Sequence, residues 1–99
     1  MRVLFANKEL ARFLSEDDPP TDKYSVAVIE SARKKLQVFG YMADERELWK
    51  WKGLRYEKLS GDRDGQRSVR INDQYRMIID VNNEADPPEL TVLEICDYH

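Results

Sequence analysis

The hydrophobic period of this chain changes once, near Gly53, and that change narrows the folds open to it more than any other feature. Before Gly53, apolar residues recur every three or four positions, as on one face of a helix. After it they recur every second position, as on one face of a strand. A helical half followed by a strand-rich half reads as α+β, with two to three N-terminal helices packed on one face of an antiparallel β-sheet and the opposite face free for work. At 99 residues the chain has room for one domain, spanning 1–99.

Four breaks divide the chain: Asp17 to Thr21 (DDPPT), Gly40 to Asp44, Gly61 to Gly65 (GDRDG) and Asn82 to Pro88 (NNEADPP). Arg2 to Phe5 is a short β-leaning run. Asn7 can cap a helix carrying Leu10, Phe13 and Leu14 at helical spacing. Thr21 or Asp22 can open a second helix whose stripe is Tyr24, Val28, Ala32, Leu36 and Phe39, with Gly40 at the expected left-handed C-cap. Asp44 and Glu47 form a D-x-x-E capping box for a short third helix through Leu48 and Trp49.

Past Gly53, Leu54 to Leu59 alternates imperfectly. Ser68 to Asn72 sets Val69 and Ile71 against Ser68, Arg70 and Asn72, and Tyr75 to Val81 sets Tyr75, Met77, Ile79 and Val81 against Arg76, Ile78 and Asp80. Asn72 and Asp73 suit a tight turn between those strands. Leu90 to Cys96 is apolar on both sides except at Thr91 and Glu94, as a central strand would be. The GDRDG loop lacks the spacing of a P-loop and the ligand count of an EF-hand, and so reads as a hairpin connection.

The formal net charge of −3 argues against a generic nucleic-acid binder, but it averages over a segregated chain. Residues 1–49 carry −1, residues 50–76 carry +4 and residues 77–99 carry −6. The basic block interleaves Lys50, Lys52, Arg55, Lys58, Arg63 and Arg67 with Trp49, Trp51 and Tyr56, either as a surface for single-stranded RNA or as a solvated charged face. No apolar run is long enough to cross a membrane, and the opening MRVLFANKEL lacks the apolar stretch of a signal peptide, so the expected address is cytoplasmic. Cys96, the single cysteine, fits a reducing compartment and sits in an apolar strand as a small core residue would.

The stretch from Leu59 through Gly61-Asp62-Arg63, Ser68-Val69-Arg70-Ile71-Asn72 and Asp73-Gln74-Tyr75-Arg76, with the terminal Asp97-Tyr98-His99, resembles the HigB branch of the RelE/ParE toxin superfamily. The family pattern is an L-K-G-D-R-x-G loop, an S-I-R-I-N strand, a D-Q-[WY]-R turn and a D-Y-H ending. Ser60 stands where many members carry lysine, which removes one cation. The resemblance implies a RelE-like fold and a bacterial type II toxin. It implies a ribosome-dependent endoribonuclease that cuts messenger RNA in the A site, needing no metal or other cofactor. The implied partners are a HigA-like helix-turn-helix antitoxin, the ribosome and its mRNA, with DNA reached only through the antitoxin and no membrane. A ParE-like toxin that acts by binding a protein target, or an attenuated toxin kept for pairing with its antitoxin, is the alternative.

Metal-free RNA cleavage by a 2′-hydroxyl needs a base for that hydroxyl, cations for the phosphoryl oxygens and an acid for the departing 5′-oxygen. The resemblance makes His99, Arg76, Tyr98 and Asp97 the catalytic candidates. His99 is the sole histidine, and the α-carboxylate together with Asp97 is expected to favour its imidazolium form. Arg76 is expected to clamp a phosphate, the other reading being a cross-strand ion pair with Asp80 or Glu94. Tyr98 can stack on a base, or pack at a sheet edge. Lys58, Arg70, Arg63, Arg67 and Lys52 are the candidate RNA contacts, Arg70 because it shares the outward face of its strand with Ser68. The group that takes the 2′-hydroxyl proton is left open, with Lys58 or Tyr98 as options.

Overall fold

The computed structural model describes residues 1–16 and 23–97. In chain order it contains β1 (Arg2–Phe5), α1 (Lys8–Ser15), α2 (Val26–Tyr41), α3 (Glu45–Lys50), β2 (Glu57–Lys58), β3 (Arg67–Arg70), β4 (Tyr75–Asn82) and β5 (Glu89–Asp97). Single 3-10 turns at Lys52–Leu54 and Gly61–Arg63 flank β2. The strands form one sheet in the order β1-β5-β4-β3-β2, so β4 is the middle strand and β5 is interior, flanked by β1 and β4, rather than at an edge.

The sheet is mixed rather than wholly antiparallel. β5, β4, β3 and β2 pair antiparallel, whereas β1 lies parallel to β5 with Val3 opposite Leu90 and Phe5 opposite Val92. Alternation shows which side chains face inward but carries no information on the direction of a partner. After β1 the chain passes through the helices, enters the sheet at its far edge and meanders back to β5, which brings the two strands together running the same way.

Asn7 caps α1 as its position predicts, its Oδ1 accepting the Leu10 N–H at 2.9 Å. The start of the second helix at Thr21 or Asp22 falls outside the described residues, as does the DDPPT break; the described helix opens at Ser25, whose Oγ accepts the Val28 N–H at 3.3 Å. Tyr24 lies ahead of α2 and packs its ring edge-on against Phe13 and Tyr75. Gly40 is not a left-handed cap. The helix runs through it to Tyr41 because its final carbonyls meet a cation instead: the Met1 amino group donates to the oxygens of Phe39 (3.3 Å), Gly40 (3.5 Å) and Met42. A positive group there also offsets the negative end of the helix dipole. The third-helix box is shifted by one residue, with Asp44 accepting from the Arg46 N–H and Glu47 accepting from Ala43.

One core joins the helices to the sheet. Phe39, Ile29, Leu36 and Leu48 pack against Val69, Met77, Ile79, Val81, Leu90 and Val92, of which the β3 and β4 residues are the inward set that alternation predicts. The pairing skips Leu93, with Ile78 opposite Glu94 and Ile79 opposite Val92. This bulge re-phases β5, so that Leu90, Val92 and Ile95 are all buried while Glu94 and Cys96 fall on the far face. That far face is not fully open. Ser68, Arg76 and Ile78 are buried at its centre.

Candidate functional site

Register places the residues of the far face. Arg76 on β4 lies opposite Arg70 of β3 and Cys96 of β5, Ile78 lies opposite Ser68 and Glu94, and Glu57 of β2 lies opposite Ser68. Arg70, Ser68, Arg76, Glu57, Glu94 and Cys96 therefore share one surface, away from the helices.

Among the described residues, Ser68 at 1% exposure and Arg76 at 5% are the buried polar side chains, and they are bonded to each other. Arg76 is two residues off the direct cross-strand partner of Ser68, a diagonal that a long side chain spans. Its Nε donates to Ser68 Oγ, and its Nη2 donates to the Ser68 carbonyl at 3.2 Å and the Arg55 carbonyl at 2.6 Å. The Glu57 carboxylate stands 4.0 Å from Nη2 and is half exposed. Neutral acceptors thus hold Nε and Nη2 in place, and the solvent-facing Glu57 carboxylate adds a long ion pair to Nη2. The Arg55 carbonyl reaches inward because its residue is left-handed, at φ 48° and ψ 48°, a conformation that costs a side-chain-bearing residue about 1 kcal/mol or more.

The other expected cations separate into groups. Arg70 flanks Arg76 and is paired with Asp73. Nearby, Lys35 of α2 donates to Ser31 Oγ at 2.9 Å and to the Ile71 carbonyl at 3.2 Å; burial, then the charge of Arg70, push its ammonium below the usual lysine range. Arg63 reaches across the face to Glu94, the residue named as an option for Arg76, and also bonds Gln66 at 3.2 Å. Lys52 and Lys58 are exposed, and Lys58 lies directly opposite Arg67, on the other face of the sheet from Ser68.

Arg67 sits on the helix side. It shares parity with Val69, and its Nε donates to Glu45 Oε2 at 2.6 Å in a pair that is mostly buried. Glu45 also accepts from Tyr56 Oη at 2.6 Å and Asn83 at 3.1 Å. Burial opposes the charge of Glu45, but those three hydrogen bonds and the Arg67 charge outweigh it and hold the carboxyl below its usual range; burial and Glu45 push the Tyr56 hydroxyl well above its own. This node ties α3 to β3 and to the β4–β5 loop. Tyr56 is buried in it, and Trp51 packs on Phe39, which leaves Trp49 as the exposed ring of the three that the basic block interleaves.

Asp97 shares its side of β5 with Ile95 rather than with Cys96, and accepts from Gln74 at 3.2 Å. Tyr98 and His99 lie outside the described residues. Cys96 is half buried, its thiol pushed up by burial and by Glu94. Among the described residues no three His, Cys, Asp or Glu side chains converge as metal ligands would.

Sequence reasoning missed three contributors. The outward parity of Ser68 was visible, but not its burial. Glu57 and the Arg55 carbonyl reach the site through pairings that no local pattern encodes. The same parity that puts Ser68 outward puts Arg67 inward, so that signal was present within the basic block.

A family model described as RelE-like toxin of type II toxin-antitoxin system HigB matches residues 3–99. A solved structure, the YoeB/ParE toxin from Agrobacterium tumefaciens, superposes with a TM-score of 0.58 at 16% identity, covering 100% of both chains. A search of curated protein sequences finds no match.

Proposed function

Since the chain belongs to the HigB-like family of RelE-like type II toxins, whose partner class is a protein antitoxin, we propose that it is a ribosome-dependent endoribonuclease that cleaves mRNA in the A site. The observation that carries this reading is the anchored guanidinium of Arg76, flanked by Arg70 and by the Glu57 carboxylate. In the proposed reaction the 2′-oxygen attacks the adjacent phosphorus, the bond to the 5′-oxygen breaks, and the products are a 2′,3′-cyclic phosphate and a 5′-hydroxyl. Arg76 stabilises the charge that builds on the phosphoryl oxygens. Glu57 takes the 2′-hydroxyl proton, filling the role that neither Lys58 nor Tyr98 needs then to fill. His99, as imidazolium, protonates the departing 5′-oxygen, with Tyr98 against a base and Asp97 supporting the terminal segment. Arg70, Arg63 and Lys52 hold flanking phosphates or ribosomal RNA. Arg67 and its cross-strand partner Lys58 are left out of the contact set because they lie on the other side of the sheet, where Glu45 engages Arg67. The antitoxin is proposed to be HigA-like, with a helix-turn-helix that makes the DNA contacts.

Primer extension on mRNA with purified ribosomes tests the reading. The wild type is expected to give A-site cuts, and His99→Ala and Arg76→Ala to lose most of them. A toxin that halts growth without producing cuts would belong to the non-enzymatic, ParE-like class instead.

A further inference from the structure

We infer that Ser68 is a positioning residue: with the Arg55 carbonyl, it sets the plane of the Arg76 guanidinium toward an RNA phosphate. The inference rests on the nuclease reading and deepens it. A buried arginine needs acceptors, and carboxylates are the usual ones. Here Nε goes to a serine hydroxyl and Nη2 to two main-chain carbonyls. These three acceptors come from two separate segments, β3 and Arg55, the residue that caps the Lys52–Leu54 turn, and the Glu57 carboxylate adds an ion pair to Nη2 at 4.0 Å. Binding two different nitrogens of a planar group removes rotation about the side chain's last bonds, so the guanidinium is oriented before any phosphate arrives. Preorganised donors of this kind contribute to a transition state because they need no reorientation at the moment of reaction.

The choice of residue at position 68 follows from the same geometry. It is 1% exposed, beside Ile78 and Glu57, where a small apolar residue would pack as well and satisfy nothing. Only a short side chain with an acceptor leaves room for Arg76 to fold back over it. The left-handed Arg55 serves the same end, since an ordinary right-handed or extended backbone there would turn its carbonyl elsewhere.

The test is single-turnover cleavage of mRNA on purified ribosomes, with toxin varied to saturation, for wild type, Ser68→Ala, Ser68→Cys and Ser68→Thr. Cysteine keeps the volume but accepts poorly, and threonine keeps the hydroxyl. The saturating rate of the alanine and cysteine variants is expected to fall on the order of 10- to 100-fold, with the half-saturating toxin concentration unchanged and the rate restored in Ser68→Thr. Melting curves identify any variant that fails to fold, and the cysteine variant then decides. In parallel, 15N-edited NMR of the free protein is expected to show a slowly exchanging Arg76 Nε–H that Ser68→Ala loses. Full-rate cleavage by folded Ser68→Ala or Ser68→Cys overturns the inference alone, as does a loss confined to half-saturation. Absence of cleavage by the wild type overturns the nuclease reading beneath it.

Discussion

Arg70 and Arg76 stand directly opposite one another across the β3–β4 pair, on the face of the sheet turned away from the helices. Like charges in that relation are ordinarily destabilising. Here Asp73 takes up Arg70, while the oxygens of Ser68 and Arg55 and, at 4.0 Å, the Glu57 carboxylate take up Arg76. The two guanidiniums are thereby held side by side on one face, Arg76 buried and Arg70 partly exposed, each beside a carboxylate.

The two arginines should separate in their effects. Arg76→Gln is expected to lower the saturating cleavage rate by about 10²- to 10³-fold, the cost of removing one preorganised donor, and to lower stability by leaving Ser68 and Arg55 acceptors unmet. Arg70→Gln is expected to weaken toxin binding to ribosomes while changing stability by no more than about 0.5 kcal/mol, as partly exposed substitutions do. Single-turnover kinetics beside thermal melts will distinguish them; equal rate losses would argue against a special role for Arg76.

Glu57→Gln removes the proposed proton acceptor without removing its volume. The rate should fall by about 10²- to 10⁴-fold, and the melting temperature should hold, because the carboxylate is half exposed and only 4.0 Å contact links it to Arg76. A variant that cuts at the wild-type rate assigns the proton transfer to another group.

Lys52 and Lys58 are exposed, whereas Arg67 is occupied by Glu45. Lys52→Ala should reduce the slope of log affinity against log salt for RNA by roughly 0.7 to 0.9 and leave stability alone, whereas Lys58→Ala, opposite Arg67 on the other face, should change neither. Arg67→Ala should leave the slope unchanged and destabilise by about 1.5–3 kcal/mol, the range for a hydrogen bond to a charged group. Ribosome or oligonucleotide binding across a salt series gives both numbers.

Glu45 supplies the pH signature of the fold. Its folded-state pKa lies below the ordinary 4.5 because three hydrogen bonds and the Arg67 charge outweigh the cost of burial. The native state therefore binds fewer protons than the unfolded chain between those two values, so this contribution is fully present above 4.5 and is lost as pH falls through the folded value. Glu45→Gln should be less stable than wild type at pH 7, with the gap closing on acidification. A gap that stays constant in urea melts from pH 7 down to pH 3 would contradict the assignment.

Much of this architecture is legible in local pattern. The inward residues of β3 and β4, the Asn7 cap, the Asn72 turn and the interior, non-edge place of β5 all follow from period and turn chemistry. Asn72 indeed accepts from the Gln74 and Tyr75 N–H groups at 2.9 and 2.8 Å. Gly40 shows where local pattern misleads: a glycine after a helical stripe signals a stop, yet the distant Met1 amino group satisfies the helix end and the glycine stays helical.

What the sequence by itself determined is which residues form elements and which side of each element they occupy, since period is imposed by the backbone geometry of the element alone. It thereby put Arg70, Ser68 and Arg76 on a common face and, read strictly, Arg67 on the other. The tertiary structure alone decided the parallel placement of β1, the withdrawal of Arg67 into the Glu45 node, and the meeting of Arg76 with acceptors 8 and 21 residues away. Those outcomes depend on how separate segments pack over one core, and no periodicity within a segment records that.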